Sequence, residues 1–322
     1  MRFLVTGAQG CIGAWTLKLL LETGHEVVAF DQAAELTRLR LIWEGKGEQR
    51  LRVVQGDLCD TARVKKLVAE EQITHVIHLA AVLMPFCQAQ PVAGGMINVI
   101  GTLNVFEAAR DARRPVRIVY ASSSAVWGPE EAYGARSLSE RDPLLPGTHY
   151  GVFKQANEGN ARVFYSSNGI SSVGLRPWTV YGAGRDSGLT ADPTLAIRAA
   201  VLGQRFQIRV SGHMDLQYVE DVAAAFVRSA TSGLEGAHVF NLAGTVVEMG
   251  EFVALLEKHL PRAAGLISAE GPQVPVSYRM DASALHAAIP GLPSTPLDDG
   301  IGGTIAIFER LHSLGRLSAV SR

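Results

Sequence analysis

The sequence predicts an α/β protein in which a doubly wound parallel sheet, with helices on both faces, is joined to a smaller, interleaved C-terminal region. Short apolar runs alternate with helix-like stretches over most of the chain, as is typical of a parallel sheet. The first apolar run is followed at once by Gly7, Gly10 and Gly13, which open a helix-like stretch. A glycine triplet between a strand and a helix indicates a Rossmann-type arrangement.

The individual elements follow from the apolar runs and from helix-stop signals. Near-continuous apolar runs, expected of strands buried on both faces, predict strands at 3–6, 26–30, 51–55, 75–80, 117–122, 172–176 and 238–242. Helices are predicted at 13–22, 61–71, 96–112, 150–168, 193–203, 219–230 and 249–259. After Trp178 the elements shorten and proline and glycine become frequent. We therefore assign a dinucleotide-binding Rossmann domain to 1–177, with 215–244 returning to its sheet, and a substrate-binding region to 178–214 and 245–322.

Charge and composition exclude several classes of partner. The chain has 30 basic and 31 acidic residues, a formal net charge of −1, and no long run of like charge that would attract nucleic acid or an anionic membrane. No apolar run approaches the roughly 18 residues of a membrane helix. Cys11, Cys59 and Cys87 are not spaced as metal-binding pairs. We expect a cytoplasmic protein with a small-molecule substrate, and no metal site, nucleic-acid partner or membrane partner.

The glycine triplet and the acid after the second strand form the candidate cofactor site. Gly7 permits a sharp turn off the strand, Gly10 lets a pyrophosphate approach the main chain, and Gly13 lets the helix pack closely. Asp31 ends the second strand roughly 20 residues past the loop, where an acid binds the ribose hydroxyls of NAD. Glycine loops also close ordinary turns, and Arg38 and Arg40 are cations that in principle reach a 2′-phosphate. The position of Asp31 nevertheless favours NAD over NADP.

Tyr150 and Lys154 form the candidate catalytic pair. Residues at i and i+4 share one face of a helix, with about 6 Å between their Cβ atoms. A phenol has a pKa of about 10, but a neighbouring ammonium and a cationic nicotinamide ring favour the phenolate, which accepts the proton of a substrate hydroxyl. A serine at the end of the preceding strand would hydrogen-bond the same oxygen. Tyr-x-x-x-Lys is common on ordinary helices, so the prediction depends on the order of glycine loop, serines and Tyr/Lys helix.

Together these motifs resemble the extended short-chain dehydrogenase/reductase family, of the NAD-dependent epimerase/dehydratase type. The resemblance covers essentially the whole chain. Its segments are 6–13, Asp31, Gly56-Asp57-Leu58, His78-Leu79-Ala80-Ala81, Asn98, Val126-Trp127-Gly128, Tyr150 with Lys154, Leu175-Arg176-Pro177, Val180-Tyr181-Gly182, 215–222 and 280–283.

The resemblance implies roles for the residues of these segments. NAD would be bound by Gly7, Gln9, Gly10, Cys11, Ile12, Gly13, Asp31, Asp57, Leu58, Leu79, Ala80, Ala81, Tyr150 and Lys154. The catalytic residues would be Ser123, Tyr150 and Lys154, with Asn98 supporting the active site, and Ser124 is the alternative serine. Relatives pair the helices equivalent to 96–112 and 150–168 across a two-fold axis, which implies a homodimer.

Two departures from the family pattern limit the reactions and substrates that we expect. Dehydratase relatives follow the catalytic serine or threonine with Asp-Glu, whereas Ser124 and Ala125 stand here, so dehydration is disfavoured. Sugar-nucleotide relatives bind the diphosphate with an arginine where this chain has Met214, so we expect a substrate without a nucleoside diphosphate. The alternative is that Arg185 or Arg209 supplies the charge.

The substrate pocket is predicted from the loops after the strands. The candidate substrate-binding residues are Ser123, Ser124, Met84, Trp178 and Arg185. Met84 lies in an apolar loop that equally suits core packing, and Arg185 either binds a substrate carboxylate or pairs with Asp186.

We therefore expect an NAD-dependent oxidoreductase that acts on a secondary hydroxyl of a small polar substrate, such as a sugar or a sugar acid. The alternative within the family is an NAD-dependent sugar or nucleotide-sugar epimerase, which oxidises and then re-reduces the same carbon. The alternative from another class is a dinucleotide-sensing regulator without catalysis. The presence of Ser123, Tyr150 and Lys154 argues against the regulator.

Overall fold

The computed structural model describes residues 1–45 and 47–320. Its strands are β1 (Arg2–Thr6), β2 (Glu26–Asp31), β3 (Leu51–Gln55), β4 (His75–His78), β5 (Arg117–Ala121), β6 (Ser172–Arg176), β7 (Thr179–Tyr181), β8 (Phe206–Ile208), β9 (His213–Tyr218), β10 (Ala237–Asn241), β11 (Thr245–Glu248) and β12 (Ile267–Ala269). Its α-helices are α1 (Cys11–Glu22), α2 (Thr37–Ile42), α3 (Thr61–Glu70), α4 (Met84–Ala89), α5 (Pro91–Gly95), α6 (Gly101–Asp111), α7 (His149–Asn168), α8 (Asp192–Val201), α9 (Val219–Thr231), α10 (Met249–His259), α11 (Ser283–Ala288) and α12 (Leu297–Ser313).

The central sheet confirms the predicted fold class. Within the described residues it has seven strands in the order β10-β6-β5-β4-β1-β2-β3, and all neighbours are parallel. These are the seven strands predicted from the sequence, with ends that agree within two residues. The order reverses between β1 and β4, and ligands of open α/β sheets bind outside the carboxyl ends of the strands at such a point.

Helices cover both faces of this sheet. Along β1, Phe3 and Val5 join a buried cluster with residues of α1 and α9, whereas Leu4 joins a second cluster with residues of α3 and α6. A strand covered on both faces must be apolar at every position. This is why the central strands were recognisable as continuous apolar runs.

The region after β6 departs most from the sequence-based expectation. β9 pairs with β7 and β11 in a separate small sheet, so 215–244 returns to the central sheet through β10 alone. Helix α12 was not predicted, because its glycines lower helix propensity. Its buried residues, Ile301 and Phe308 among them, join the same cluster as α1. The division into two domains stays a prediction, since this cluster draws on both parts of the chain.

One helical stretch in the described part of the chain, Pro91–Asp111, is long and apolar enough to span a membrane by length and composition. It was not recognised from the sequence. Half of its most apolar part is buried, and Val105 and Phe106 pack in the cluster beneath the central sheet. Core helices of globular domains share this composition, so packing against the sheet accounts for the buried half of this stretch.

The outer faces of Pro91–Asp111 and α7 carry exposed apolar side chains. Val92 is 82% exposed and Val163 is 61% exposed, and Met96 and Val152 are exposed as well. Phe106, on the same helical stretch, does not contribute to this surface, because it is buried within the protomer.

We predict that these faces pair in a homodimer about a two-fold axis, because pairing removes their apolar side chains from water. Light scattering should then give twice the chain mass of 34.5 kDa. The double variant Met96→Glu/Val163→Glu places charges on these faces and should have the mass of a single chain. A wild-type protein with the mass of a single chain at every concentration would contradict the prediction.

Candidate active site

Most of the predicted site residues lie at the carboxyl ends of the central strands, around two adjoining cavities. The Asp31 cavity, of about 270 Å³, lies beyond β1, β2 and β4. The Tyr150 cavity, of about 360 Å³, lies beyond β1 and β5. Gly7, Gly10, Arg38, Leu79 and Ala81 line both cavities.

The glycine loop is shaped to approach another backbone and to leave a helix end free. Gly7 has φ of 69°, and a Cβ there would stand 2.5 Å from the Ala80 nitrogen, so only glycine fits against the loop after β4. Helix α1 begins after Gly10, and no side chain of the described residues caps it. Its first N–H groups therefore lack intrahelical partners and are available to a pyrophosphate.

Asp31 lies at the end of β2 in the wall of the Asp31 cavity. Its carboxylate accepts hydrogen bonds from the backbone N–H groups of Gln9, at 2.9 Å, and Gln32, at 2.7 Å. Each carboxylate oxygen keeps a lone pair for a ribose hydroxyl. The glycine loop, the free helix end and this acid together fit NAD.

The predicted cofactor residues divide between the two cavities. Gly7, Gln9, Gly10, Asp31, Leu58, Leu79, Ala80 and Ala81 line the Asp31 cavity, and Cys11, Ile12, Gly13, Tyr150 and Lys154 line the Tyr150 cavity. Asp57 is not among the described residues that line either. Its Oδ1 instead accepts a hydrogen bond from the Cys59 nitrogen at 2.9 Å, while Gly56 and Leu58 on either side line the Asp31 cavity.

Arg38, on a helix that was not predicted, joins two distant segments beside the cavities. Its Nη1 donates to the Gln9 carbonyl at 2.5 Å, and its Nε and Nη2 donate to both carboxylate oxygens of Asp186, at 2.9 and 2.6 Å. Asp186 thus pairs with Arg38 rather than with its neighbour Arg185. The partners are 148 positions apart in the sequence, which explains why the sequence carries no signal for this contact.

We predict that NAD binds more tightly than NADP. A 2′-phosphate would meet the Asp31 carboxylate, while the charge of Arg38 is already paired with Asp186. Titration of the intrinsic fluorescence with each cofactor gives the Kd for NAD and the Kd for NADP. Asp31→Asn should bring these two Kd values closer together. Equal affinities in the wild-type protein would contradict the assignment of Asp31.

The start of α7 brings Tyr150 to the serines that follow β5. The hydroxyl of Thr148 caps the helix by accepting a hydrogen bond from the Gly151 nitrogen at 3.1 Å. Gly151 lies so close to the turn after Ser123 that a Cβ would stand 2.1 Å from the Ala125 oxygen. This contact fixes the start of α7 against the turn that carries Ser123, and the Ser123 hydroxyl acts to lower the pKa of Tyr150.

Ser123, rather than Ser124, faces the Tyr150 cavity. Its Oγ accepts a hydrogen bond from the Ala125 nitrogen at 3.1 Å. Ser124 is buried in the 3₁₀ turn Ser124–Val126 and is not among the described residues in the cavity wall. The geometry therefore favours Ser123 as the partner of Tyr150.

Lys154 lies one turn after Tyr150, with its Nζ 5.5 Å from the centroid of the tyrosine ring. Its Nζ donates to the Ala121 carbonyl at 2.7 Å, and burial lowers the pKa of Lys154 to about 8. Burial raises the pKa of Tyr150, while the Ser123 hydroxyl and the charge of Arg185 lower it. The expectation that Lys154 lowers the pKa of Tyr150 is therefore not met in the protein alone. The lost hydration of a buried phenolate outweighs the attraction of nearby cations.

Asn98 lies in a π-helical turn, Met96–Ile100, of the kind often found at functional sites. Its side chain accepts a hydrogen bond from the Val82 nitrogen at 3.2 Å and donates to the Val82 oxygen at 3.0 Å. These bonds go to the loop after β4 rather than to Tyr150 or Lys154. Asn98 thus positions a cavity wall, and it is not among the described residues lining either cavity.

A buried ion pair that was not predicted lies next to the serines. Arg176, at the end of β6, donates to both carboxylate oxygens of Glu158, each at 2.8 Å, and the two side chains are 3% and 2% exposed. Ser122 also donates to Glu158, at 2.5 Å. Glu158 follows Tyr150 and Lys154 at four-residue spacing on the same face of α7. The pair therefore anchors that face of the helix to the ends of β5 and β6.

Of the remaining candidate substrate residues, Trp178 and Arg185 line the Tyr150 cavity and Met84 does not, within the part of the chain that the structure describes. Met84 begins α4 and is 38% exposed, and Leu83 occupies the wall in its place. Trp178 is held by a hydrogen bond from its Nε1 to the Ser277 carbonyl at 2.7 Å.

Comparisons with known proteins agree with this geometry. The family described as the NAD dependent epimerase/dehydratase family matches residues 3–243. A UDP-glucose 4-epimerase of Mycolicibacterium smegmatis is 28% identical, over 96% of this chain and 99% of its own length. UDP-glucuronate 4-epimerase 1 of Arabidopsis thaliana is 29% identical, over 92% of this chain and 74% of its own length.

Solved structures resemble the whole chain. MoeE5 in complex with UDP-glucose and NAD superposes with a TM-score of 0.80 at 28% identity, over 98% of this chain and all of that one. The Thermus thermophilus UDP-glucose 4-epimerase in complex with NAD superposes with a TM-score of 0.79 at 25% identity, over 96% of this chain and 99% of that one. Both contain the cofactor predicted from the sequence, and NAD is confirmed as the cofactor of the family.

Proposed function

Because the chain belongs to the NAD-dependent epimerase/dehydratase family, we propose that it is an NAD-dependent sugar epimerase that inverts a secondary hydroxyl-bearing carbon through transient oxidation. The observation that carries the proposal is the group of Ser123, Tyr150 and Lys154 in a cavity that adjoins the Asp31 cavity. Relatives that match most of the chain are named as epimerases. The preference for a dehydrogenase, expected from the sequence, has no support among them.

Tyr150 is proposed to carry the proton. A substrate hydroxyl that hydrogen-bonds both Tyr150 and Ser123 is held with its proton directed at the phenolate oxygen. The phenolate accepts this proton as the alcohol becomes a ketone, and the phenol returns it to the ketone oxygen when the alcohol re-forms. Burial raises the pKa of Tyr150 in the protein alone, so we propose that the cationic nicotinamide ring of bound NAD, together with the Lys154 ammonium beside the tyrosine ring, favours the phenolate.

NAD, when bound, would supply the two-electron chemistry of the reaction by serving as both acceptor and donor of a hydride. One C–H and one O–H bond are broken and then re-formed, so the substrate undergoes no net oxidation. Inversion requires the ketone to turn over within the cavity between the two transfers.

Local chemistry supports epimerisation over elimination of water. Elimination needs an acid and a base next to the catalytic serine, but Ser124 and Ala125 stand there. The nearest buried carboxylate described above, Glu158, is committed to Arg176 and Ser122. It is therefore unsuited to protonating a leaving hydroxyl.

The test is incubation of the purified protein and NAD with a panel of free sugars, sugar acids and UDP-sugars. We expect NMR to reveal an epimer of one of them while the absorbance of reduced cofactor stays constant. Steady accumulation of NADH would instead establish a dehydrogenase. Tight NAD binding without conversion of any compound would favour the regulator. Ser123→Ala is the matched control and should slow epimerisation without changing the fold.

A further inference from the structure

Arg185, in the wall of the Tyr150 cavity, is a cation without a carboxylate partner among the described residues. We infer that the substrate carries a carboxylate on the sugar ring itself and that Arg185 binds it. The inference deepens the proposed function and rests on it for the identity of the reacting hydroxyl.

Arg185 is held in place but not neutralised. Its Nη2 donates to the Thr190 hydroxyl at 2.8 Å. Its Nε is buried without a hydrogen-bond partner among the described residues, and none of their carboxylates lies within ion-pair distance of the guanidinium. The neighbouring Asp186 is turned to Arg38 instead. A buried donor without a partner costs free energy unless a ligand supplies the acceptor.

The other cations of this cavity are already engaged. Arg38 is paired with Asp186, and Lys154 donates to the Ala121 carbonyl beside Tyr150. Cys11, which also lines the cavity, stays a neutral thiol because burial raises its pKa to about 12. One uncommitted guanidinium matches one carboxylate in charge and in its bidentate geometry.

The position of Arg185 places the anion close to the reacting carbon. The wall of the same cavity, of about 360 Å³, holds Tyr150, and the charge of Arg185 acts to lower the pKa of Tyr150, although burial keeps that pKa raised. A carboxylate bound by Arg185 therefore shares this cavity with the reacting hydroxyl, as a carboxylate on the sugar ring would, whereas the diphosphate of a nucleotide sugar lies beyond the anomeric carbon. Met214, where relatives are expected to bind a diphosphate, is 0% exposed in the buried cluster shared with α1.

The experiment compares D-glucuronate and D-galacturonate with D-glucose and D-galactose, and UDP-glucuronate with UDP-glucose, as substrates of the full-length protein. We expect each acid to be epimerised with a higher kcat/KM than its neutral counterpart. Arg185→Met should lower kcat/KM for the acids by about 10- to 100-fold, as loss of a charged hydrogen bond does, with little change for the neutral sugars. Arg228→Met, at an exposed surface position, is the control for loss of an arginine and should behave as wild type.

Two binding measurements separate the possible outcomes. Arg185→Met should leave the Kd for NAD unchanged; a loss of NAD affinity equal to the loss of activity would instead assign Arg185 to the cofactor pyrophosphate and overturn the inference. Binding of the free uronates to the NAD complex is followed by tryptophan fluorescence, since Trp178 lines the cavity. Uronate binding that depends on Arg185 without epimerisation would reject the proposed function and keep the inference. Epimerisation with no preference for the acids, or no binding of any acid, would overturn the inference.

Discussion

Tyr150→Phe is expected to lower kcat by about 100- to 10,000-fold, the usual cost of removing a general acid–base group. The substitution removes only the hydroxyl that lies beside Ser123, and the ring keeps its place at the start of α7. The Kd for NAD should therefore change little. Single-turnover kinetics and a cofactor titration on the same preparation measure the two quantities.

Two further variants make this test specific. Lys154→Met should impair both turnover and cofactor binding, because its ammonium lies beside Tyr150 in a cavity that the start of α1, the expected site of the pyrophosphate, also lines. Tyr165→Phe removes a hydroxyl from an exposed position on the same helix and should leave both unchanged. A Tyr150→Phe protein with near wild-type kcat would exclude Tyr150 as the proton carrier.

Glu158→Ala is expected to lower the free energy of unfolding by about 3–5 kcal/mol, because it leaves the guanidinium of Arg176 buried and unpaired. Both side chains are almost fully buried, so water cannot replace the lost carboxylate. Urea denaturation followed by circular dichroism gives the value. Glu309→Ala breaks an exposed pair with Arg262 and should cost less than about 1 kcal/mol.

A double variant keeps this prediction testable if Glu158→Ala does not fold. Glu158→Leu/Arg176→Met removes both charges and should be more stable than Glu158→Ala alone, since no buried charge is left without a partner. If Glu158→Ala lowers the free energy of unfolding by less than about 1 kcal/mol, the result would contradict the view that the Arg176–Glu158 pair anchors α7.

The parts of the fold and site that follow from local pattern were predictable from the sequence. β1, β2 and β5 are apolar on both faces, so their runs stand out from the half-polar helices. Gly7 and Asp31 have fixed spacing within one βαβ unit, and Tyr150 and Lys154 have fixed spacing on one helix. These spacings follow from the geometry of one strand–helix–strand unit and of one helix, so they can be read from a single sequence.

The parts that depend on contacts between distant segments were not predictable. The Arg176–Glu158 pair requires the register of β6 against α7, and the direction of Asp186 requires the position of α2. Met84 was expected at the substrate, but the start of α4 turns it outward and presents the preceding Leu83. Apolar composition cannot distinguish these two outcomes, because either residue suits a pocket wall.

The contact of Arg38 with Asp186 has a kinetic consequence. Arg38 borders both cavities, so a dinucleotide that extends from one to the other passes beside a pair joining α2 to the loop after β7. We therefore expect that the dinucleotide leaves only when this pair opens, so that the pair affects the residence time of the cofactor as well as its affinity. Both partners are partly exposed, so added salt should weaken the pair and speed the exchange of cofactor. Slow exchange would keep one coenzyme molecule in place throughout a reaction that needs it first as hydride acceptor and then as hydride donor.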